Sequence, residues 1–239
     1  MVFGETVSGV LFGVGLGPGD PELMTLKAAR LISGAQVVAY PALVGGDSLA
    51  RSIAAELISQ DATEVVIQVP MTVDRAPAQA AYDQGAAAIA EHLEAGRDVV
   101  CLCEGDPFFY GSFMYLFARL AQRFHVEVVP GVSSMNAVAA RSGRPLVARN
   151  EVVTVLPGPL GEDDLRLRIK AADSVVLMKV GRHLGKLKRV LRGEGLMESA
   201  VYVERVGMAG EVCVPLADAP DTAPYFSMIL VTKGADPWL

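Results

Sequence analysis

The sequence predicts an α/β protein of two domains: an N-terminal, mostly parallel sheet with flanking helices, and a C-terminal mixed α/β sheet. Three observations predict it. Runs of β-branched residues alternate with segments of helical period through the first half of the chain, which is the pattern of βαβ units. In the second half, strand-like runs follow one another across short Gly- or Pro-containing connections, which favours antiparallel pairing. Between the halves the alternation pauses at Ser142–Arg149, where a glycine, a proline and flanking arginines interrupt it. The expected domains are therefore 1–143 and 149–239, joined by a linker at 144–148. A chain of 239 residues, 51% of them hydrophobic, is long and apolar enough for two packed cores.

Taken in order, the first-domain strands are expected at Val7–Gly15, Gln36–Tyr40, Glu64–Val69, Asp98–Cys103 and Val126–Val129. The clearest helix is Gly111–Arg123, where Phe113, Leu116, Phe117, Leu120, Ala121 and Phe124 recur at helical spacing. Ala50, Ile53, Ala54, Leu57 and Ile58 form a similar stripe. The second-domain strands are expected at Val152–Leu156, Ser174–Lys179, Ala200–Glu204, Glu211–Leu216 and Tyr225–Thr232, with one long helix at His183–Arg192.

Charge and cysteine content exclude several classes of function. The net charge is -6, and it belongs to the first half: nine basic against fifteen acidic residues over 1–146, twelve against twelve over 147–239. An acidic half opposes nucleic acid, which needs a basic footprint. The exception is a local basic cluster of Arg182, His183, Lys186, Lys188, Arg189 and Arg192. Three cysteines are too few for a disulfide framework, and Cys101 and Cys103 share one face of a strand, as small buried hydrophobes do. The three histidines are scattered without ligand spacing, so no protein metal site is expected. No run approaches the roughly 20 apolar residues of a membrane span. Glu5 stands where a signal peptide would carry Lys or Arg. A cytoplasmic location is expected.

Three loops carry the candidate chemistry. The first, Gly13-Val-Gly15-Leu-Gly17-Pro18-Gly19-Asp20, follows a strand and precedes a helix. A dinucleotide fingerprint would require a third glycine at position 18 or 20. Those positions hold Pro18 and Asp20, and a carboxylate there would repel a pyrophosphate. The second loop, Glu104-Gly105-Asp106-Pro107-Phe108-Phe109-Tyr110-Gly111-Ser112, sits at the carboxyl end of a strand, where an open parallel sheet places its ligand crevice. Its carboxylates suit hydroxyl or amine donors, and its rings suit a flat ligand. Asp106 before Pro107 equally reads as a helix-starting turn. The third loop, Pro130-Gly131-Val132-Ser133-Ser134, leads into an alanine-rich helix and serves either a ligand or an ordinary N-cap.

Together the three loops resemble the tetrapyrrole methylases, which use S-adenosylmethionine. The resemblance runs from Gly13 to the last strand and includes Val176–Gly181 and Val203–Val206 in the second half. Within that family, Glu104–Leu116 resembles the form found in enzymes that methylate C20 of precorrin-2 in cobalamin biosynthesis. Uroporphyrinogen methylases typically have a glycine where this chain has Glu104. The resemblance implies a methyltransferase that binds a bent S-adenosylmethionine in a cleft between the domains and releases S-adenosylhomocysteine. The implied cofactor contacts are Pro18, Glu104, Gly105, Asp106, Phe109, Ser133, Ser134, Met178 and Val206, several through their backbone; Met178 alternatively packs in the core. The acceptor carbon must lose a proton, and Asp106 and Tyr110 are catalytic candidates by location alone. Asp20 is a substrate candidate or a helix cap. Arg149, Arg182 and Lys186 are candidates for the substrate's carboxylates, against the alternative of a solvated basic face. A homodimer is also implied. The alternatives are the same reaction on the cobalt-containing substrate and, in a different class, a non-catalytic module that binds a nucleotide-like ligand.

Overall fold

A computed structural model of the chain describes residues 8–70, 72 and 74–234. Val7, with which the expected first strand begins, lies outside the described residues. The chain forms two compact units that meet in sequence at Ser133 and Ser134.

The first unit contains β1 (Leu11–Gly15), β2 (Val37–Leu43), β3 (Thr63–Val69), β4 (Val99–Cys103) and β5 (Val126–Val129). They form one sheet in the order β3-β2-β4-β1-β5, and every neighbouring pair runs parallel. Helices α1 (Leu26–Ser33), α2 (Leu49–Ile53), α3 (Ala76–Glu94) and α4 (Phe113–Leu120) connect the strands. Side chains alternate along each strand, so β4 feeds two cores at once. Val99, Cys101 and Cys103 pack with Tyr82, Ile89 and Leu93 of α3 and with Phe113 and Leu116 of α4. Val100 and Leu102 pack on the opposite face with Ala28 and Ile32 of α1 and with Ala50 and Ile53 of α2. The phenylalanine and leucine stripe foreseen after Gly111 is therefore α4, with Phe113, Leu116 and Leu120 turned inward. Local chemistry starts α1 and α2: Thr25 accepts from the Ala28 amide, and Ser48 accepts from the Arg51 amide.

Strand order fixes where a ligand can enter this unit. The connection from β1 leads to α1 on one face of the sheet, whereas β4 leads to α4 on the other. Because β1 and β4 are neighbours, their following loops part at the carboxyl edge, which is a topological switch point.

The second unit opens with α5 (Ser134–Ser142) and continues through β6 (Val153–Pro157), α6 (Glu162–Ala171), β7 (Ser174–Met178), α7 (Leu184–Gly193), β8 (Ala200–Glu204), β9 (Val212–Pro215) and β10 (Ser227–Thr232). Its sheet order is β6-β7-β10-β8-β9. The β6–β7 pair is parallel; β10 runs antiparallel to both β7 and β8, and β8 to β9. The sheet is mixed, and its later strands pair antiparallel as their short connections require.

Two features of this unit differ from the expectation. The division falls at Ser133/Ser134, ahead of the expected 144–148 linker. Val138 of α5, 1% exposed, packs with Val176, Val201, Val203 and Leu230 of the second sheet, which ties the helix to that unit. Helix α6 was not foreseen. It buries only Leu165 and Ile169 among many charges, too narrow a stripe to stand out in the sequence.

Candidate functional site

At the switch point the loops after β1 and β4 are joined by their own backbone. Gly17 and Gly105 form an antiparallel bridge: the Gly105 amide donates to the Gly17 carbonyl at 2.7 Å, and the Gly17 amide donates to the Gly105 carbonyl at 3.3 Å. Both glycines are left-handed, with φ of +80° and +64°, a conformation that costs other residues free energy. The loop after β5 lies against the same backbone. A Cβ on Gly131 would come within 2.1 Å of the Gly105 carbonyl oxygen, and one on Gly15 within 2.6 Å of the Gly131 amide. Three loops distant in sequence thus meet as bare main chain. A Cβ on Gly105, by contrast, would meet nothing within 4 Å, so this cradle has one open side.

Asp106 binds the cradle together. One carboxylate oxygen accepts from the Phe108 amide at 2.9 Å and the Phe109 amide at 3.1 Å; the other accepts from the Gly131 amide at 3.1 Å. Of its two readings in the sequence, the turn-starting one is what these bonds show: Asp106 shapes the turn at Phe108 and Phe109 and also bridges to the loop after β5. Asp20 is also engaged: it caps the short turn at Pro21–Leu23 by accepting from the Glu22 amide at 2.9 Å. Pro18 is buried beside it.

The remaining groups of the loop after β4 differ in exposure. Burial raises the Glu104 carboxyl above the usual carboxylate range, opposed in part by its own amide and that of Ala50. Phe109 is half-buried and packs edge-on against Tyr110, with ring centroids 5.2 Å apart. Tyr110 is exposed and left-handed, at φ +57°. Below the cradle, burial and then the Glu104 charge push the Cys103 thiol up to about 12, so it is no nucleophile. Ser133 is half-buried at the end of this unit.

In the second unit, Ser134 is the first residue of α5. Met178 ends β7, and its side chain packs half-buried against the cluster that contains Val176 and Val203. Val206, 8% exposed, belongs to that same cluster. Any ligand contact at these two positions therefore falls to the backbone or, at Met178, to the uncovered part of the side chain. The turns beside them are strained. Lys179 (φ +55°) and Arg205 (φ +50°) are, with Tyr110 and Arg149, the left-handed non-glycine residues among those described.

The basic candidates separate in the structure. Lys186 donates to the Leu160 carbonyl at 2.5 Å, Lys188 to the Ala219 and Pro220 carbonyls, and Arg189 to Glu162. Much of the basic helix thus holds neighbouring turns of its own unit. Arg182 and Arg149 are exposed, and Arg149 is left-handed at φ +47°.

Sequence reasoning missed the group that organises the turn after β8. Glu204, 8% exposed, accepts from the Tyr202 hydroxyl at 2.6 Å and from Arg205 Nη1 at 3.1 Å. A glutamate closing the apolar run Ala200–Val203 was the available signal. Among the described residues, no group of three or more His, Cys, Asp or Glu is placed to hold a metal, and no helix is long and apolar enough to cross a membrane.

A parallel sheet whose switch point is a three-loop glycine cradle, followed by a mixed α/β unit, defines a two-domain tetrapyrrole-methylase fold. The chain belongs to the tetrapyrrole (corrin/porphyrin) methylases, whose family model matches residues 10–220. It is 44% identical over 237 residues to a Sinorhizobium protein named precorrin-2 C(20)-methyltransferase, covering 95% of this chain and 97% of that one. It is 33% identical over 231 residues to the cobalt-precorrin-2 C(20)-methyltransferase of Salmonella typhimurium, covering 95% and 98%. The solved uroporphyrin-III C-methyl transferase of Thermus thermophilus, complexed with S-adenyl homocysteine, superposes with a TM-score of 0.66 at 28% identity, covering 94% of this chain and 92% of that chain.

Proposed function

We propose that this chain is an S-adenosylmethionine-dependent methyltransferase that methylates C20 of precorrin-2 to give precorrin-3A in cobalamin biosynthesis. The observation that carries the reading is the glycine cradle. Its left-handed backbone at Gly105 faces open space, so a ligand can approach the main chain where any side chain would intervene. The open side there gives a nucleoside-like cofactor room for close approach to the main chain. The greater identity to the relative named for precorrin-2 than to the one named for cobalt-precorrin-2 favours the metal-free substrate.

When bound, S-adenosylmethionine supplies a methyl group already activated on a sulfonium. The chain's own contribution is to hold the reactants in line at about 3 Å and to exclude water. Pro18, Glu104, Gly105, Asp106, Phe109, Ser133, Ser134, Met178 and Val206 are proposed to contact the cofactor. Asp106 acts here as the clasp of its loop; Asp106 and Tyr110 are proposed, by location, as the groups that receive directly or through water the proton that C20 loses. Arg149 and Arg182 are proposed to meet substrate carboxylates, with Lys186 already tied to Leu160 and Asp20 to its cap. The protein is proposed to work in the cytoplasm as a homodimer, which sedimentation at micromolar concentration would check.

The test is incubation with methyl-labelled S-adenosylmethionine and precorrin-2, with and without cobalt, followed by location of the label. Label at C20 of the metal-free substrate supports the proposal. Label on a pyrrole ring carbon, or turnover only with cobalt, corrects the substrate. Cofactor binding without turnover on any tetrapyrrole favours a non-catalytic module.

A further inference from the structure

The turns after β7 and β8 carry Met178 and Val206, and each contains a left-handed residue with a long side chain, Lys179 and Arg205. Such a backbone persists only where surrounding contacts outweigh its strain. At Arg205 those contacts converge on one buried group. Glu204 closes β8 with its carboxylate on the same face as Tyr202, two residues earlier, and accepts from Tyr202 Oη at 2.6 Å and Arg205 Nη1 at 3.1 Å. In the sheet register Glu204 stands opposite Ser227 of β10. The Ser227 hydroxyl accepts from the Gly181 amide at 3.2 Å and donates to the Pro224 carbonyl at 2.6 Å. The Arg205 amide donates to the Phe226 carbonyl at 2.8 Å. The turn after β8 is thus held by Glu204 and the Phe226 carbonyl, and the turn after β7 by Ser227, the residue opposite Glu204 in the register. Burial, with the Glu204 charge, raises the Tyr202 phenol, which keeps it a donor at neutral pH.

We propose that Glu204 is a positioning residue: its buried carboxylate locks the turn after β8 and, through the pairing of β8 with β10 that sets Ser227 opposite it, steadies the turn after β7, and so sets the backbone at Val206 and Met178 for the cofactor. The proposal rests on the cofactor reading above for its consequence, but not for its geometry. A neutral amide at position 204 would keep the volume, lose the charge-assisted bond from Arg205, and leave the left-handed turn unsupported.

The experiment uses the full chain, the variants Glu204→Gln, Glu204→Gln with Arg205→Gly, and Tyr202→Phe, and two readouts. One is calorimetric titration with S-adenosylhomocysteine; the other is hydrogen exchange at the Gly181 and Arg205 amides. Glu204→Gln is expected to weaken S-adenosylhomocysteine binding about tenfold, the effect of one lost charge-assisted hydrogen bond, and to speed exchange at both amides. Adding Arg205→Gly, which reaches φ +50° unaided, is expected to recover most of the affinity. A merely structural glutamate would lower thermal stability without that loss and recovery, and this result overturns the proposal. If Glu204→Gln does not fold, Tyr202→Phe decides in its place: parental affinity and exchange reject the proposal, and a smaller loss in both supports it. A parent chain that fails to bind S-adenosylhomocysteine removes the cofactor reading. The exchange data then still accept or reject Glu204 as the group that sets the turns.

Discussion

The two units bring chain turns to the ends of their strands by different means. In the first, tight turns are made of glycine: Gly17 and Gly105 take the left-handed conformation at no steric cost, and Gly15 and Gly131 let three loops touch through bare backbone. In the second, the corresponding turns place Lys179 and Arg205 in that conformation, and buried side chains around Glu204 and Ser227 offset the strain at the turn after β8. Bare backbone leaves room for a ligand at Gly105, but tolerates no added atom at Gly15 or Gly131. A side-chain network tolerates a glycine at the turn itself, but depends on the buried group that supports a non-glycine residue there. The same backbone geometry therefore has two different vulnerabilities.

The largest expected effect tests the first mode. Gly131→Ala would push a Cβ into the Gly105 carbonyl, and the two loops must separate. We expect a loss of about 3 kcal/mol in chemical denaturation, at the upper end for overpacking, and loss of S-adenosylhomocysteine binding. A variant as stable as the parent would break the claim that the loops meet through bare main chain. Next comes Gly105→Val, whose Cβ meets open space but whose φ of +64° opposes a branched residue. Here stability should fall by about 1 to 2 kcal/mol from strain alone. Calorimetry should show cofactor affinity falling further than stability does, because the side chain enters the open side of the cradle.

The converse substitution in the second unit should be nearly silent. Arg205→Gly relieves left-handed strain and removes one hydrogen bond to Glu204, two effects of similar size and opposite sign. A net change below about 1 kcal/mol in thermal or chemical denaturation is expected. A loss much larger than that would mean the second turn depends on Arg205 itself and would collapse the contrast.

The smallest effect concerns pH. Glu104 has a carboxyl raised in the folded state, chiefly by burial, so folding binds a proton as pH rises from the unfolded value of 4.5 toward the higher folded one. Its contribution is fully present below 4.5 and is lost as pH rises through the folded value. Glu104→Gln should therefore match or exceed the parent in melting temperature near neutral pH, with the difference shrinking toward pH 4.5. A gap that widens on acidification would reverse the sign assigned to this carboxyl.

Much of the fold was legible because its signals are local. β-branched runs marked the strands of both sheets, and helical periodicity marked α4 and α7. A short connection marked the antiparallel pairing of β8 with β9, whereas β10 pairs with β8 and β7 and not with β9 beside it in sequence. Helix α6 escaped because a surface helix with two buried positions has almost no apolar stripe. Of the candidate site, the three loops were legible as glycine and small-residue turns after strands. The partners of Asp106, Lys186 and Glu204 were not, since each lies on a different loop or strand or depends on its burial in the packed unit.

By itself, the sequence determined the alternation of strands and helices, the failure of the dinucleotide spacing at Pro18 and Asp20, and the three loops whose resemblance points to tetrapyrrole methylation. These depend on side-chain period and residue type, which are properties of neighbouring residues. Only the tertiary structure decided the strand order that makes β1 and β4 neighbours and so places their loops at a switch point. It also decided that α5 packs with the second unit, that Asp106 clasps Gly131, and that Glu204 stands opposite Ser227 of β10. The physical reason is common to all of them. A hydrogen bond or an apolar contact between distant residues is chosen by which surfaces the sheet order brings together, and no local pattern records that choice.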